Sequence, residues 1–301
     1  MTSIPSWLKE IVGRHKAALR SATAQNAQLS LNKYALHTVC QAAKCPNRGE
    51  CFNCADATFM VLGDRCTRGC RFCAVSHEKP LPPDSQEPSR VAAAIKEWGI
   101  RHAVLTMPTR DDLQDGGAAH FARVIHAIHT LTPKVKVEPL ISDLQGHTEG
   151  LHVILDAQPN VLAHNVETVE ELYPQIRLGA QYTRTLHLLE NSKKYAPQIL
   201  TKSGFMVGLG ETEEQIHRLL HDLRNVGVDL VTIGQYLAPS VQHYPVQNYP
   251  EPSQYKIWEE YALSLGFKAV ASGPLVRSSY HAGALYKAAL RQIKAAQTHA
   301  D

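Results

Sequence analysis

Thr58-Phe59-Met60-Val61-Leu62-Gly63, followed by Cys66-Thr67-Arg68-Gly69-Cys70-Arg71-Phe72-Cys73, is the stretch that decides the fold of this 301-residue chain. A short apolar run closed by a glycine is the pattern of a strand buried on both faces. The loop after it carries three cysteines at C-x3-C-x2-C spacing, so reactive side chains leave the carboxyl end of a strand, as they do in parallel α/β sheets. The same unit recurs downstream. Further strands are expected at residues 102–107, 135–140, 160–164, 203–209 and 229–235, and helices at 89–98, 117–131, 168–172, 183–189, 212–226 and 253–265. Strand and helix in alternation mean a parallel sheet with right-handed crossovers. Six such units predict an α/β fold, a partial (β/α)6 TIM-like barrel rather than a closed ring of eight. A last strand at 267–272 and a helix after His281 finish the chain. This divides it into an N-terminal extension (1–55), the barrel (56–240) and a C-terminal extension (241–301).

All seven cysteines lie between Cys40 and Cys73. Upstream of the first loop, Cys40, Cys45 and Cys51 form C-x4-C-x5-C, and Cys54 is left over. Structural zinc takes four closed tetrahedral ligands, usually from paired C-x2-C hooks, so each triplet falls one short. A four-iron cluster suits three thiolates, which hold it and leave one iron open to a small molecule. Gly69 lets the loop turn sharply. For the upstream triplet a second solution stays open, a structural zinc with Cys54 as fourth ligand, because Cys51-Phe52-Asn53-Cys54 is itself such a hook.

The C-x3-C-x2-C loop resembles the signature of the radical S-adenosylmethionine (SAM) enzymes. Its pairing with C-x4-C-x5-C, in the settings Thr38-Val39-Cys40, Cys45-Pro46-Asn47 and Gly49-Glu50-Cys51, resembles the lipoyl synthase family. The resemblance continues through Arg110-Asp111-Asp112-Leu113, His164-Asn165, Thr201-Lys202-Ser203-Gly204, Met206-Val207-Gly208-Leu209-Gly210-Glu211-Thr212 and Arg277-Ser278-Ser279-Tyr280, and it spans nearly the whole chain. It implies two 4Fe-4S clusters. One sits on Cys66, Cys70 and Cys73 and chelates SAM through its open iron. The auxiliary one sits on Cys40, Cys45 and Cys51, with Ser279 as fourth ligand. An alkoxide is a harder, more exchangeable ligand on iron than a thiolate, which suits a corner that must detach; the plain reading is that the two serines hydrogen-bond a loop beside Arg277.

The implied reaction inserts sulfur at carbons 6 and 8 of an octanoyl-lysine, the auxiliary cluster being consumed as the donor while SAM cleavage provides the radical. The implied partners are octanoylated lipoyl carrier domains, namely 2-oxoacid dehydrogenase acyltransferase subunits and the glycine cleavage H protein, and an electron donor such as flavodoxin or ferredoxin. In the implied fold the Cys66 loop, Thr106, Glu138, His164-Asn165 and Gln235 converge at strand ends. Thr106, Asp112, Glu138, Asn165 and Glu167 are the expected cofactor contacts. Asp111, Asp112 and Asp115 with Gly116-Gly117 read equally as a helix start, and His164, Asn165 and Glu167 as a buried hydrogen-bond network. The Gly-rich turn at 208–212 opens a helix capped by Thr212. Ahead of Arg110 the family reads Ser-Val-Asp where this chain has Met107-Pro108-Thr109, a departure that bears on local cofactor and substrate contacts.

Composition narrows the alternatives. With 44% hydrophobic and 20% charged residues the chain has material for one large core. Its formal charge of +3, with Lys and Arg dispersed, suits an acidic protein partner and gives no support for nucleic acid. Clustered cysteines in a chain this long point to a reducing compartment, not a secreted disulfide framework. No apolar run approaches the roughly 20 residues that span a bilayer, so a soluble protein of the cytoplasm, or of an organellar matrix, is expected. Residues 1–30 carry Lys9, Arg14, Lys16 and Arg20 among serines, as transit peptides do. Pro5-Ser6-Trp7-Leu8-Lys9 resembles the opening of mature family members, so the segment reads as folded protein, with a helix over 6–20 capped by Ser6. Residues 31–55 show no period and read as an irregular loop pinned by a cluster instead of a core. The sixteen histidines show no H-E-x-x-H, and neither a G-x-S-x-G elbow nor a P-loop occurs.

Overall fold

A computed structural model describes residues 3–54 and 56–298, the side chain of Lys16 excepted. Its first elements are helices α1 (Ser6–Ala17) and α2 (Ala22–Lys33), joined by a 3-10 turn at Ala18–Arg20. Leu8 is fully buried, so this segment is part of the fold. Ser6 is the first helical residue of α1 and not its cap; the first turn closes on Pro5, whose carbonyl accepts from Lys9 N at 3.0 Å. The unexpected α2 is capped by Ser21, whose Oγ accepts from Ala24 N at 3.1 Å.

The stretch read as irregular holds strand β1 (His37–Thr38) and helices α3 (Val39–Ala42) and α4 (Arg48–Asn53). Thr38 caps α3, accepting from Gln41 N at 3.3 Å. Phe52, 2% exposed, packs edge-on against Trp98 with centroids 6.0 Å apart. The core therefore anchors this segment, contrary to the reading above. Helices this short show no 3.6-residue period, which is why the sequence hid them. Gly49 lets α4 lie on the end of α1: a Cβ there would stand 2.6 Å from His15 O and Leu19 N.

The barrel follows as strands and crossover helices: β2 (Thr58–Met60), α5 (Glu87–Trp98), β3 (His102–Thr106), α6 (Ala118–Leu131), β4 (Lys136–Leu140), α7 (Thr148–Asp156), β5 (Val161–Ala163), α8 (Tyr173–Ile176), α9 (Tyr182–Tyr195), β6 (Leu200–Val207), α10 (Glu213–Asn225), β7 (Leu230–Gln235), α11 (Pro252–Ser264) and β8 (Ala269–Gly273). Strand order is sequential from β1 to β8. β1 is antiparallel to β2 and all later neighbours are parallel, with no pairing between the two ends among the described residues. This is the open partial barrel expected, with β8 added to its edge. Helix α7 had not been expected. Thr212 caps α10 in a capping box with Gln215.

Alternation along the strands sends Ala103 and Leu105 of β3 outward into the helical layer. The inward series is then His102, Val104 and Thr106 on β3, Glu138 and Leu140 on β4, Lys202, Gly204 and Met206 on β6, and Thr232 and Gly234 on β7. The last helix, α12 (Ala282–Thr298), sets Leu285 and Ala289 against Val161, Leu200, Leu230 and Ala269 at the strands' starts and so floors the barrel. No described helix is long and apolar enough to cross a membrane.

Candidate functional site

A cavity of about 980 Å³ opens at the carboxyl ends of the strands, and residues from both ends of the chain, such as Leu8, Val12, Arg277 and Ser279, help to wall it. Cys66, Cys70 and Cys73 line it together. Their loop is held by backbone bonds at 2.8 Å from Cys66 N to Ser76 O and from Arg71 N to Ile176 O. Arg68, 8% exposed, ties it down further. Its Nε meets Asp111 Oδ2 at 2.7 Å and its Nη2 meets Asp143 Oδ1 at 2.8 Å. Burial works against the ionised Asp143, yet Arg68 and Arg184 prevail and hold its pKa at about 2. Cys66 Sγ accepts from Arg68 N at 3.4 Å and Thr109 N at 3.3 Å. Burial pushes the Cys70 thiol up to about 11 and Cys73 up to about 12, so arriving iron must displace protons here.

Thr106, Asn165 and Glu167 of the expected cofactor contacts line the same cavity. Asn165 Nδ2 donates to Glu167 Oε1 at 3.1 Å, which leaves Asn165 Oδ1 buried and without a partner. Glu167 sits at φ 67°, a strained conformation of the kind that clusters at ligand sites. Burial raises the Glu167 pKa despite the opposing Arg177 and Asn165. Gly204 keeps the wall thin, since a Cβ there would stand 2.3 Å from Thr232 Oγ1 and 3.1 Å from Asn165 Oδ1.

Two expected contacts do not reach the cavity. Asp112 forks onto Arg110, at 2.8 Å through both Nε and Nη2, and Arg110 in turn donates to the Leu62 and Leu81 carbonyls, so the pair shapes a loop. Glu138 lies inside β4, short of the strand's end at Leu140, with its carboxylate on Lys202 and His102. His164 joins a buried network, Nδ1 on Ile141 O and Nε2 on Thr185 Oγ1, and burial lowers its pKa to about 4. Gln235 lines the cavity, but its amide is committed to the Val207, Tyr236 and Asn248 carbonyls. Asp115 caps α6 by accepting from Gly117 N and Ala119 N. Glu211 closes its own turn by accepting from Gly208 N and Leu209 N.

Arg177 was missed. It lines the cavity, donates from Nη1 to Tyr173 OH at 2.7 Å and Thr185 Oγ1 at 3.1 Å, and makes no ion pair among the described residues. An arginine in an irregular connection carries no sequence signal for this role.

The second triplet lines a smaller pocket, where Cys40, Cys45 and Cys51 meet Arg277 and Ser279. Cys40, Cys45, Arg277 and Ser279 also face the main cavity, so the two spaces adjoin. Asn47 Nδ2 donates to Leu275 O at 2.6 Å across 228 residues of chain, and Tyr280 OH to Glu50 at 3.1 Å. Gly234 admits the C-terminal segment: a Cβ there would stand 2.2 Å from Val276 O. Burial pushes the Cys40 thiol up to about 11 and raises Cys51 as well, and burial lowers the Arg277 pKa against the pull of Cys45. Cys54 is exposed and lies outside the pocket. Among the described residues no three His, Cys, Asp or Glu side chains gather as a single-ion site.

The donor sets fit iron–sulfur clusters and a polar cosubstrate. Each triplet leaves one ligand position open, the buried thiols need a cationic partner to ionise, and the unpaired Asn165 oxygen and Arg177 guanidinium offer an acceptor and a cation.

The family model described as the Radical SAM superfamily matches residues 60–223. The chain is 51% identical over 278 residues to the lipoyl synthase of Caldanaerobacter subterraneus subsp. tengcongensis, covering 92% of this chain and 95% of the relative. It is 49% identical over 281 residues to the lipoyl synthase of Chlorobaculum tepidum, covering 93% and 94%. Among solved structures, the FeFe-hydrogenase maturase HydG aligns with a TM-score of 0.56 at 12% identity, over 87% of this chain and 65% of its own. Methylornithine synthase PylB aligns at 0.53 and 16%, over 86% and 75%. These two share the fold.

Proposed function

The chain belongs to the lipoyl synthase family of radical SAM enzymes, and we propose that its two adjoining cysteine sites divide the work between SAM cleavage at Cys66, Cys70 and Cys73 and sulfur supply at Cys40, Cys45, Cys51 and Ser279. The enzyme is a sulfurtransferase that adds two sulfur atoms, at C6 and C8, to an octanoyl-lysine held on a protein. Its cofactors are 4Fe-4S clusters with SAM as cosubstrate; bound together, they supply one-electron cleavage of SAM and the sulfur that is inserted. One observation carries the assignment of residues: members of both triplets and Ser279 face a single cavity.

The protein's share is placement and exclusion of water. Arg177 offers a forked cation to the SAM carboxylate. Asn165 Oδ1 and Glu167 offer acceptors to its ammonium or ribose hydroxyls, while Thr106 and Gly204 shape the wall behind them. Leu8 and Val12 of α1, with Val39, make an apolar wall for the octanoyl chain. Met107, Pro108 and Thr109 all line the cavity, so the departure from the family pattern lies where cosubstrate and acyl chain meet. Lys9 and Lys44 at its N-terminal side suit acidic carriers, among which we place acyltransferase subunits and the glycine cleavage H protein, with flavodoxin or ferredoxin as electron donor.

The test is an anaerobic assay with reductant, SAM and an octanoyl-lysine peptide, scored by mass for one and two sulfur additions. Formation of 5′-deoxyadenosine with no sulfur gained would overturn the assignment of the second site. Ser279→Ala is expected to depress sulfur addition far more than SAM cleavage; equal loss of both removes Ser279 from its post.

A further inference from the structure

Toward the barrel floor three ionisable side chains are buried together and take no part in the cavity. Glu138, 2% exposed, accepts from Lys202 Nζ at 2.6 Å and from His102 Nε2 at 2.8 Å. Lys202 is 1% and His102 9% exposed. All three occupy inward positions, on β4, β6 and β3. Removing ions from water carries a desolvation penalty that leucines would avoid, so stability does not account for charge here. Burial works against the ionised Glu138, but Lys202 and His102 prevail and keep its pKa below the usual carboxylate range.

The carboxylate opposite Nε2 puts a proton on that nitrogen. The other ring nitrogen, Nδ1, is buried and has no partner in the protein. Left so, a buried polar atom forfeits its hydrogen bond to water with nothing in return. The ring cannot easily turn away. Glu138 grips one side, Tyr286 packs beside it with centroids 5.5 Å apart, and Gly283 of α12 approaches until a Cβ there would stand 3.1 Å from His102 Cβ. What His102 does line is the pocket of Cys40, Cys45, Cys51 and Ser279.

We propose that His102 hydrogen-bonds, through Nδ1, the group bound at the second cysteine site, and that Glu138 and Lys202 are positioning residues that fix the orientation of its ring. This deepens the two-cluster reading and rests on it. Cluster sulfides only accept, so the role open to the buried Nδ1 at this pocket is that of a hydrogen-bond donor to them. Hydrogen bonds to cluster sulfur are among the levers that set its reduction potential. His102 would thus make the sulfur-supplying cluster easier to reduce than its thiolates alone would.

The test uses the full chain with Cys66→Ala, Cys70→Ala and Cys73→Ala, reconstituted with iron and sulfide so that only the second site is filled. Into this parent are introduced His102→Leu, His102→Gln and Glu138→Gln, each followed by iron analysis and a redox titration read by electron paramagnetic resonance. His102→Leu is expected to keep about four irons and to lower the ratio of reduced to oxidised cluster about tenfold at fixed potential, about 59 mV for a one-electron couple. His102→Gln should recover part of the ratio, and Glu138→Gln should shift it in the Leu direction. Loss of iron in His102→Leu alone, with His102→Gln still loaded, also supports the role. Full iron with an unchanged ratio in His102→Leu overturns it. So does an equal effect of Leu and Gln, iron loss in both included, because a packing role makes no distinction between them. Failure of the two-cluster reading appears separately, as a parent that takes up no iron.

Discussion

The two cysteine sites differ in where their walls come from. The loop of Cys66, Cys70 and Cys73 is local: one strand end supplies all three thiols, and Arg68 pins it to Asp111 and Asp143 on the neighbouring barrel loops. The site of Cys40, Cys45 and Cys51 is assembled from both ends of the chain, joined by the Asn47 to Leu275 hydrogen bond and roofed by Arg277 and Ser279. Closing so long a loop costs entropy that only docked packing repays. The first site should therefore survive injuries that empty the second.

The strongest way to break this contrast is to remove one cysteine from each site. Cys70→Ala is expected to cut 5′-deoxyadenosine formation by about a thousandfold or more, since the cofactor it would hold carries the chemistry. Cys51→Ala should leave that reaction within about tenfold while abolishing sulfur addition. Similar losses in both assays for both variants would mean that the sites are not separate. Next in size is Arg177→Leu, for which the KM for SAM should rise about 30-fold or more, the scale for losing one partner of a buried charge pair. Arg177→Lys should recover part of this, and an unchanged KM would remove Arg177 from the carboxylate site.

Asn47→Ala sharpens the comparison further. Loss of a buried hydrogen bond that leaves the Leu275 carbonyl unpaired costs about 1–3 kcal/mol, and iron at the second site should fall while SAM cleavage persists. Equal loss of iron from both sites would contradict the independence argued here. An effect of comparable size is expected from Asp143→Asn. The Asp143 pKa is depressed from 3.8 to about 2, so its pairing with Arg68 and Arg184 contributes stability above pH 4 that is lost as pH falls through about 2. A shift of that size corresponds to about 2 kcal/mol. Urea unfolding of the metal-free chain should show the Asn variant less stable at pH 6 and flatter than the parent between pH 4 and pH 2.5; parallel curves would show that the pair contributes nothing.

The contrast also explains what was readable beforehand. Buried parallel strands and amphipathic crossover helices announce themselves within windows of ten or so residues, and a local cage such as Cys66 to Cys73 does the same. Helices α3 and α4 were hidden because each is too short to show a period, whereas α7 does carry one, with Leu151, Ile154 and Leu155 on its buried face. Asp112 and Glu138 were misplaced because residue type and approximate position at a strand end do not reveal which partner takes the carboxylate.

Residue order alone thus determined the alternation that makes an open barrel, the thiol spacings that suit iron and sulfide, and the likeness to a family. Tertiary structure decided which groups meet: Ser279 with Cys40, Arg177 with the cavity, and Lys202, Glu138 and His102 with one another under the second site. The physical reason is range. Periodicity and turn chemistry act over a few residues, whereas desolvation, charge pairing and the approach of a carbonyl to Gly234 depend on atoms brought together only when the two ends of the chain dock on the barrel.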